Sequence, residues 1–364
     1  MKLEFEFTDK RDDKNLRELL ERNPVPGSFT LKYTRNPSFF ESIKIMGKKN
    51  RVLVCRKDNQ KIVAVGIYSY PDCYIQGRVQ EIGYMHSLRV DKDVRASGVL
   101  FKGIRFMRKA EEKKNIPFYL TTIIEDNHDA IKILTSKRFG LPNYIDIGRY
   151  ITYAVLLKNK KKKNVFPEFK IKNVSSINEL EKAVDFINKQ GAKKLFYPKY
   201  SAHDLLNYPG LDYKKIYAAY YNNEIVGVLG AWDQSDIKQT SVDSYNLMWK
   251  IIKPFYNAVC FFSGYKTLPE CGEKFSYVFL PFLALENNGN HIFEALLTHI
   301  YNRYNDKKYH YLMIGLHEKD SVNKVLEKFR VIKYCSRMYI ASYKKVDKKI
   351  SDSSLIPYLE CARI

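Results

Sequence analysis

A run of lysines lies near the middle of this 364-residue chain and divides it into two parts. The run, KNKKKKN at residues 158–164, is typical of an exposed linker, because like charges repel one another and stay hydrated. A chain of this length exceeds one ordinary core and favours two domains. We predict a first domain over residues 1–157, the linker over 158–164, a second domain over 165–345, and a polar, partly loose tail over 346–364.

On both sides of the linker, apolar residues follow a similar succession of strand and helix patterns. Before the linker, strands are predicted over residues 3–7, 51–56, 61–70, 80–90, 118–124 and 149–157, and helices over 12–22, 98–114 and 127–137. After it, strands are predicted over residues 215–221, 225–233, 276–285, 309–316 and 338–343, and helices over 177–190, 291–304 and 321–329. The repetition favours two copies of one α/β unit over two unrelated domains.

The chain carries a formal net charge of +22. Such a charge attracts polyanions, which include nucleic acid, anionic lipid and phosphorylated cofactors. The abundance of Lys, Asn, Ile and Tyr is also typical of an AT-rich genome, which would explain the charge without a polyanionic partner. Because the basic residues are spread along the whole chain, we do not favour a dedicated nucleic-acid face.

The cysteines and the hydropathy pattern indicate the cellular compartment and whether a metal site is expected. None of the six cysteines forms a CxxC pair, and the histidines complete no zinc spacing, so we expect free thiols and no bound metal. The sequence has no stretch of about 18 apolar residues, which argues against a membrane span. The first residues, MKLEFEF, alternate as in a strand and lack the apolar run of a secretory signal. We therefore expect a cytoplasmic protein; its oligomeric state stays open.

The most informative segment runs from a strand through a polar loop into a helix, YMHSLRVDKDVRASGVL at residues 84–100. The first amides of a helix have no partner within it, and the aligned peptide dipoles add positive charge there. The geometry suits a pyrophosphate, which Gly98 would admit to the backbone and Arg95, Lys92 and Lys102 would attract. An ordinary strand-to-helix turn has the same pattern, so these residues alone leave both interpretations open.

Two short motifs here resemble those of the GNAT acetyltransferases. The GNAT signature is Gln/Arg-x-x-Gly-x-Gly/Ala between the fourth strand and the third helix, and residues 95–100 read RASGVL, which departs at Leu100. The Asn-x-x-Ala pattern that opens the next helix follows as NHDA at residues 127–130. Leu134 stands where the family often has a Tyr that protonates the leaving thiolate, and Arg138-Phe139 stands where Gly-Phe is usual. The resemblance covers roughly the first 150 residues.

The resemblance implies an α/β (α+β) fold of two GNAT-like domains. Each would be a mixed, mostly antiparallel twisted sheet flanked by helices, with its fourth and fifth strands splayed apart. It also implies that acetyl-CoA binds the first domain as a co-substrate. The pyrophosphate would be held by the backbone amides of Arg95, Ala96, Ser97, Gly98, Val99 and Leu100. The backbone of Leu88 and Val90 would pair with the pantetheine arm, and Asn127 would hydrogen-bond the cofactor unless it only caps its helix.

Acetyl transfer to an amine needs a base for the amine and an acid for the thiolate. The family often places its base, or a residue that binds a basic water, nine residues before the signature; here that is His86, whose imidazole titrates near neutral pH. Strand alternation puts His86 on one face with Tyr84 and Leu88, and Tyr84 would be an acid or a wall of the site. Glu81, the alternative base, faces away from His86 unless a bulge intervenes. Each of these residues can also be an ordinary strand residue.

The second half carries a weaker form of the same pattern. Where the signature should lie, residues 285–291 read LENNGNH, and Glu286 would place a negative charge beside any pyrophosphate. We therefore expect a degenerate copy that does not bind CoA and has a structural or substrate-binding role. Aromatic residues within residues 249–265 either wall a substrate groove or pack into the core.

The function expected from these observations is N-acetyl transfer from acetyl-CoA to an amine, by direct attack in a ternary complex. Two alternatives stay open. One is tRNA-dependent aminoacyl transfer, as in tandem GNAT-like proteins that add amino acids to peptidoglycan precursors; the positive charge favours it. The other is a CoA-binding module without catalysis, which Leu100 and Leu134 favour. The identity of the amine has no readable pattern in the sequence.

Overall fold

The computed structural model describes residues 2–26, 29–58, 60–112, 114, 116–136, 140–158, 160–305 and 308–364. Arg138 and Phe139, which stand at the Gly-Phe position of the GNAT pattern, lie outside these residues, as does Asn159 of the linker. Every element that the sequence predicts has a counterpart, and the structure adds others, among them a helix over Leu247–Ser263 and strands over Phe29–Thr34 and Gln239–Tyr245. The α/β class is confirmed.

The elements are as follows. The strands of the first half are β1 (Leu3–Thr8), β2 (Phe29–Thr34), β3 (Lys49–Lys57), β4 (Lys61–Tyr70), β5 (Asp72–Ile75), β6 (Arg78–Glu81), β7 (Gly83–Val90), β8 (Tyr119–Ile124) and β9 (Asn143–Leu156). The strands of the second half are β10 (Lys170–Asn173), β11 (Tyr197–Pro198), β12 (Ile216–Tyr221), β13 (Glu224–Gly230), β14 (Gln239–Tyr245), β15 (Tyr277–Phe279), β16 (Ala284–Leu285), β17 (Tyr311–His317) and β18 (Val331–Ser342). The helices are α1 (Asp13–Glu21), α2 (Phe39–Ile43), α3 (Val99–Glu111), α4 (His128–Leu134), α5 (Ile177–Gly191), α6 (Ala202–Asn207), α7 (Leu247–Ser263), α8 (Asn290–Tyr304), α9 (Asn323–Leu326) and α10 (Lys348–Ser351).

Helix α3 illustrates how the sequence selects the buried face of an element. Val99, Gly103 and Met107, spaced four residues apart, are buried, whereas Lys102 and Arg105 are exposed. Residues spaced by one turn share a face, so the apolar stripe meets the sheet and the cations face solvent. The side of α3 that packs on the sheet is thus fixed by its sequence.

One nine-stranded sheet runs through both halves, in the order β1-β3-β4-β7-β8-β18-β9-β17-β15. Within it the closing strands of the two halves are exchanged. β18, from the second half, pairs antiparallel with β8 of the first, and β9, from the first half, pairs antiparallel with β17 of the second. β9 and β18 also pair with each other. The linker therefore connects two halves that share one hydrogen-bonded sheet, although the domain boundaries themselves stay a prediction.

Smaller sheets add further connections between the halves. The second half has its own sheet in the order β10-β12-β13-β16. The hairpin of β5 and β6 pairs with β11, and β2 pairs with β14, so two strand pairings besides those of the large sheet join the first half to the second. These pairings fix the position of the second half relative to the cleft described below.

The last part of the predicted tail, residues 355–364, packs into the protein. Ala362 is fully buried, and Tyr358 and Glu360 are only 4% and 2% exposed. The backbone of Leu195 receives the segment by accepting from the Tyr358 N–H at 2.8 Å and donating to the Ile356 carbonyl at 3.0 Å. The physical reason lies in the sequence LIPYLECA at residues 355–362, whose apolar side chains gain free energy when buried.

Two strands that the sequence predicts as continuous are broken in the structure. The strand over residues 80–90 is interrupted at Ile82, between β6 and β7. The strand over residues 276–285 is interrupted between β15 and β16, where Phe282 has a φ of +64°. Gly83 and Pro281, which are disfavoured inside strands, lie beside the two breaks and could have indicated them.

Candidate active site

The centre of the candidate site is a cleft between β7 and β8. These strands pair in parallel at only two positions, Gly83 with Tyr119 and Tyr84 with Leu120, and then diverge. β7 is held on its other side by β4, and β8 by β18. An extended substrate arm that enters the cleft meets two strand edges whose peptide groups can pair with it. The predicted splay of the fourth and fifth strands is confirmed.

The far end of β7 leads into the predicted pyrophosphate loop. Residues Lys92–Ser97 form a 3₁₀ turn, and Gly98 precedes α3 in the left-handed conformation with a φ of +73°. A Cβ built on Gly98 would meet no heavy atom within 4 Å, so the space in front of its backbone is open. An anion can therefore approach the amides at the start of α3 without a side chain in the way.

Both ends of this strand–loop–helix unit are anchored by buried carboxylates. At the start of the loop, Asp91 accepts a hydrogen bond from Arg22 Nε at 3.0 Å. Burial opposes its ionisation, but the hydrogen bonds that it accepts, with that of Arg22 foremost, hold the pKa of Asp91 below its ordinary value. At the end of α3, Glu111 accepts from the hydroxyl groups of Tyr70 and Tyr119 at 2.8 and 3.1 Å. The amides at the start of α3 are thereby held at a fixed position relative to β7.

The backbone carbonyls expected to pair with a pantetheine arm already carry arginine donors. The Leu88 carbonyl accepts from Arg89 Nη1 at 2.8 Å, and the Val90 carbonyl accepts from Arg95 Nε at 3.2 Å. A carbonyl has two lone pairs and can accept a second bond. Arg95 itself is exposed beside the loop, where its charge is available to a phosphate.

A bulge in β7 sets the direction of the catalytic candidates. His86 lies opposite Ile67 and Arg89 lies opposite Val65, so two residues of β7 face one residue of β4, and Ser87 has a φ of +55°. Leu88 consequently turns to the face opposite His86, where its Cδ1 lies 4.0 Å from the position of a Cβ on Gly66. The expectation that His86 and Leu88 share a face is wrong because of this bulge.

The hydrogen bonds around His86 define its neutral tautomer. Ser69 Oγ donates its only proton to Asn50 Oδ1 at 2.5 Å and lies 2.8 Å from His86 Nε2. Nε2 must then carry a hydrogen and donate to Ser69, which leaves Nδ1 as the basic nitrogen. Ser87 Oγ lies 3.0 Å from Nδ1 and can donate to it. Adjacent strand residues normally point to opposite faces, and it is the positive φ of Ser87 that brings its hydroxyl back to the imidazole.

The electrostatic surroundings keep the imidazole of His86 neutral. Burial, with the positive charges of Arg35 and Lys238, lowers the pKa of His86 well below 6.5. Burial likewise lowers the pKa of Arg35, to about 10. Lys238 is buried and donates to the main-chain oxygens of Ala362 and Ile364 at 3.3 and 3.0 Å. The expectation that His86 titrates near neutral pH is therefore wrong; it is a neutral acceptor over the whole physiological range.

Tyr84 and Glu81 have different positions from His86. The Tyr84 ring stacks on the imidazole, with centroids 4.9 Å apart, so the two share a face as predicted. Tyr84 is nevertheless buried, beside a cavity of only about 30 Å³ that the tail helps to line, and burial raises the pKa of its hydroxyl. This position suits a wall of the site better than an acid. Glu81 ends β6 in the small sheet, exposed and outside β7, and the structure does not bring it to His86.

Asn127 occupies the position of a helix cap. Its side-chain oxygen accepts from the Ala130 N–H at 3.2 Å and so satisfies one of the first amides of α4. The residue is exposed. Of the two interpretations that the sequence left open, the cap is the contact seen, and the cofactor contact stays a prediction.

The corresponding loop of the second half is closed. Gly289 has a φ of −64°, and a Cβ on it would lie 2.7 Å from Ile292 Cδ1. Ile292 therefore occupies the space that is open in front of Gly98. Glu286 is exposed at the start of this loop, and α8 behind it is almost entirely buried.

The second half also contains a surface groove of about 1180 Å³ between β10, β12 and α8. Its lining includes Lys172, Lys215 and Arg303, together with Glu179 and Asp212, and it shares no residue with the cleft. If volume alone decided, this groove would be the candidate active site. We place the chemistry at the cleft instead, because the strand edges, the open loop and the imidazole converge there.

The sequence analysis missed the partners of His86. Ser69 and Ser87 gave no signal, since isolated serines in strands are ordinary, and Arg35 and Lys238 are distant from His86 in sequence. The apolar composition of residues 355–362 could have indicated a buried tail, although not its position. Burial raises the pKa of the Cys55 thiol to about 11 and that of Cys73 to about 12, so neither is suited to hold an acyl group.

The described residues offer neither a metal site nor a membrane-crossing helix. Within that part of the chain, His, Cys, Asp and Glu form no group of three or more that could hold a metal ion. In the same residues, no helix combines the length and apolarity that a membrane crossing requires.

Comparison with solved structures identifies the fold. A GCN5-related N-acetyltransferase from Anabaena variabilis superposes with a TM-score of 0.54 and 10% identity over 93% of this chain and 72% of its own. The protein has the GNAT fold. Saccharomyces cerevisiae N-myristoyltransferase with bound myristoyl-CoA has a TM-score of 0.58 and 13% identity over 94% of this chain and 79% of its own. A probable N-acyltransferase from Enterococcus faecalis, at 10% identity, has a TM-score of 0.54 with the same coverage as the Anabaena protein. No protein-family model and no curated sequence matches this GNAT-fold chain significantly.

Proposed function

We propose that this protein transfers an acyl group from an acyl-CoA thioester to an amine, by direct attack in a ternary complex. The observation that carries the proposal is the cleft between β7 and β8, which leads to the open, left-handed Gly98 and the first amides of α3. The fold is shared with proteins described as an N-acetyltransferase and an N-myristoyltransferase, which supports acyl transfer as the reaction class.

Two neighbouring elements of the first half would bind the acyl-CoA, the loop at residues 95–100 and strand β7. The amides of residues 95–100 and the guanidinium of Arg95 would hold the pyrophosphate, and the β7 edge at Leu88 and Val90 would align the thioester arm. Acetyl-CoA is the acyl donor that the sequence motif favours and the first to test. Whether longer acyl chains are accepted depends on the space beyond Tyr84.

In the proposed reaction, His86 accepts a proton at Nδ1, the ring nitrogen that its neutral tautomer leaves basic. The amine nitrogen attacks the thioester carbonyl carbon, and the carbon–sulfur bond breaks to release the thiolate. The proton lost by the amine goes to His86 Nδ1, either directly or through the Ser87 hydroxyl, which would take that proton as it gives its own to Nδ1. A thiol with an ordinary pKa of about 8.5 is a good leaving group, so solvent can supply the proton to the thiolate. Nε2 stays bonded to Ser69, which fixes the ring.

The direct test measures thiol release from acetyl-CoA and longer acyl-CoAs with a panel of amines, together with the mass of the protein after incubation with acyl-CoA alone. We expect amine-dependent thiol release and no acylated protein. The variant Ser87→Ala should lower kcat about tenfold, which is less than the loss of the proton acceptor itself would cause, because His86 can still accept the proton directly. Acyl-CoA affinity should stay unchanged. An acyl group trapped on Ser87, Cys55 or Cys73 would overturn direct attack.

The same experiment separates the alternatives. Tight acyl-CoA binding without turnover on any amine would indicate a binding module. Absence of CoA binding, with a gel shift of aminoacyl-tRNA instead, would indicate tRNA-dependent transfer.

A further inference from the structure

Helix α7 is attached to the protein by one narrow stripe. Trp249, Tyr256 and Cys260, spaced by seven and four residues, turn inward, and Cys260 is completely buried. Trp249 packs against Phe29, with ring centroids 4.9 Å apart, and against Tyr256 at 5.9 Å. The stripe anchors α7 near β14 and β2. These contacts leave most of the circumference of α7 facing outward.

The outward part of α7 is apolar and exposed. Phe255, Phe261 and Phe262 are 73%, 74% and 87% exposed, and Leu247 and Ile251 are 76% and 62% exposed. The expectation that the aromatic residues of this stretch pack into the core is therefore wrong for these three phenylalanines. A contiguous apolar patch of this kind on a protein surface marks a place where something else binds.

Two basic residues lie at the C-terminal end of α7. The helix contains no Asp or Glu, and its Lys253 forms an ion pair with Glu270 at 2.7 Å. At its C-terminal end Lys158, the first residue of the lysine-rich linker, pairs in a β-bridge with Tyr265, and its Nζ lies 5.3 Å from the centre of that ring. Arg330 lies over the same ring at 4.9 Å. The linker thus begins directly beside the exposed helix.

The linker continues from this point with further cations. Lys160, Lys161 and Lys163 are exposed. Lys162 instead turns back onto Phe329 at 4.3 Å from the ring centre, which holds the run against the body of the protein. A fixed basic segment and an apolar helix therefore share one end of the molecule.

We propose that α7 and the lysine run form a docking surface for an anionic lipid bilayer. The apolar side chains of α7 would enter the boundary between headgroups and acyl chains, and the lysines would meet anionic headgroups. A bilayer supplies both an apolar interior and a dense negative surface. A second copy of this chain would bring another formal charge of +22 and repel the first, so charge complementarity favours lipid over self-association. This inference does not depend on the proposed acyl transfer.

Vesicle sedimentation tests the surface on the full chain. We expect the wild type to bind vesicles of phosphatidylcholine with 30 mol% phosphatidylserine at least tenfold more tightly than pure phosphatidylcholine, with affinity falling as salt rises. The triple variant Phe255→Glu, Phe261→Glu, Phe262→Glu should lose at least tenfold. The matched control Ile177→Glu, Leu206→Glu removes apolar residues exposed on α5 and α6 and should bind as the wild type does.

A second variant separates the charge from the helix. Lys160→Gln, Lys161→Gln, Lys163→Gln should weaken binding to the anionic vesicles about tenfold and leave the circular dichroism spectrum unchanged. Wild-type protein that stays in the supernatant with anionic vesicles would overturn the proposal. So would a concentration-dependent dimer, abolished by the triple phenylalanine variant, in protein that ignores vesicles, because α7 would then bind a second copy.

Discussion

The two halves of this protein carry the same strand–loop–helix unit, but only one of the two loops is open. Gly98 is in the left-handed conformation, with empty space where its side chain would be. Gly289 is in an extended conformation with a φ of −64°, and Ile292 fills the equivalent space. The fold therefore does not by itself make an anion site; the site depends on what stands in front of the helix.

The charges beside the two loops also favour an anion at the first loop and disfavour one at the second. Arg95 lies beside the first loop, and Glu286 begins the second. The comparison teaches that the second half provides structure, including the exchanged strand β18, while the first half retains the cleft.

The largest expected effect is on kcat when His86 is replaced, with His299 of the second half as the comparison. His86→Ala should lower kcat about 10²–10⁴-fold and leave acyl-CoA affinity nearly unchanged, because it removes the proton acceptor but not the loop. His299→Ala, on α8 of the second half, is the matched control and should retain wild-type activity. Steady-state kinetics with a verified amine checks both. If the two variants behave alike, chemistry is not confined to the first half.

A pair of alanine variants sharpens the comparison of the loops. Gly98→Ala should destabilise the protein by about 1 kcal/mol through its positive φ, and Gly289→Ala by a similar amount through contact with Ile292. Only Gly98→Ala should also weaken acyl-CoA binding, by about tenfold, since its Cβ would stand where the phosphates approach. Chemical denaturation and binding titrations measure the two effects. Equal losses of affinity in both variants would contradict a single open loop.

A smaller effect concerns pH. Because burial and neighbouring cations lower the pKa of His86 well below 6.5, kcat/KM should show no His86-dependent loss as the pH falls from 8 to 6.5. Arg35→Gln removes one of those cations, so the pKa of His86 should rise and the acidic limb should move to higher pH. Lys32→Gln, on β2 three residues before Arg35 and beside Asp243, is the control and should leave the limb in place. A limb centred at 6.5 in the wild type would refute the lowered pKa.

The lowered pKa of His86 also predicts how the stability of the folded protein depends on pH. An unfolded chain binds a proton at His86 near pH 6.5, whereas the folded chain does not, so this contribution to stability is present above 6.5 and is lost as the pH falls below it. His86→Gln should remove that part of the acid sensitivity. Unfolding midpoints between pH 7.5 and 5.5 provide the measurement; an unchanged slope would show that His86 is charged in the folded state.

The smallest effect is expected from cutting the linker. Trypsin should cut within residues 158–164, where exposed lysines are concentrated, but the two fragments should stay together in gel filtration. The exchanged strands β9 and β18 hold them through backbone hydrogen bonds. Fragments that separate without denaturant would contradict the exchange and support two independent domains.

Much of the fold could be predicted from the sequence because its elements have local causes. Apolar spacing located β4, α5 and α8 to within one residue and α3 to within three, and the GNAT motif located the Gly98 loop. The exchange of β9 and β18 could not be predicted, since both strands carry the same alternating pattern and either pairing buries it. The partners of His86 could not be predicted either. They depend on the bulge at Ser87 and on contacts with residues as distant as Lys238, which no local pattern encodes.

The central claim is that one half alone binds acyl-CoA, through the open loop at Gly98. Isothermal titration of the full chain with acetyl-CoA tests it most directly. The account predicts one site per chain, lost at least a hundredfold in Gly98→Asp, where bulk and negative charge would meet the phosphates, and retained in Glu286→Lys. Two equivalent sites per chain, or a single site that survives Gly98→Asp, would contradict it.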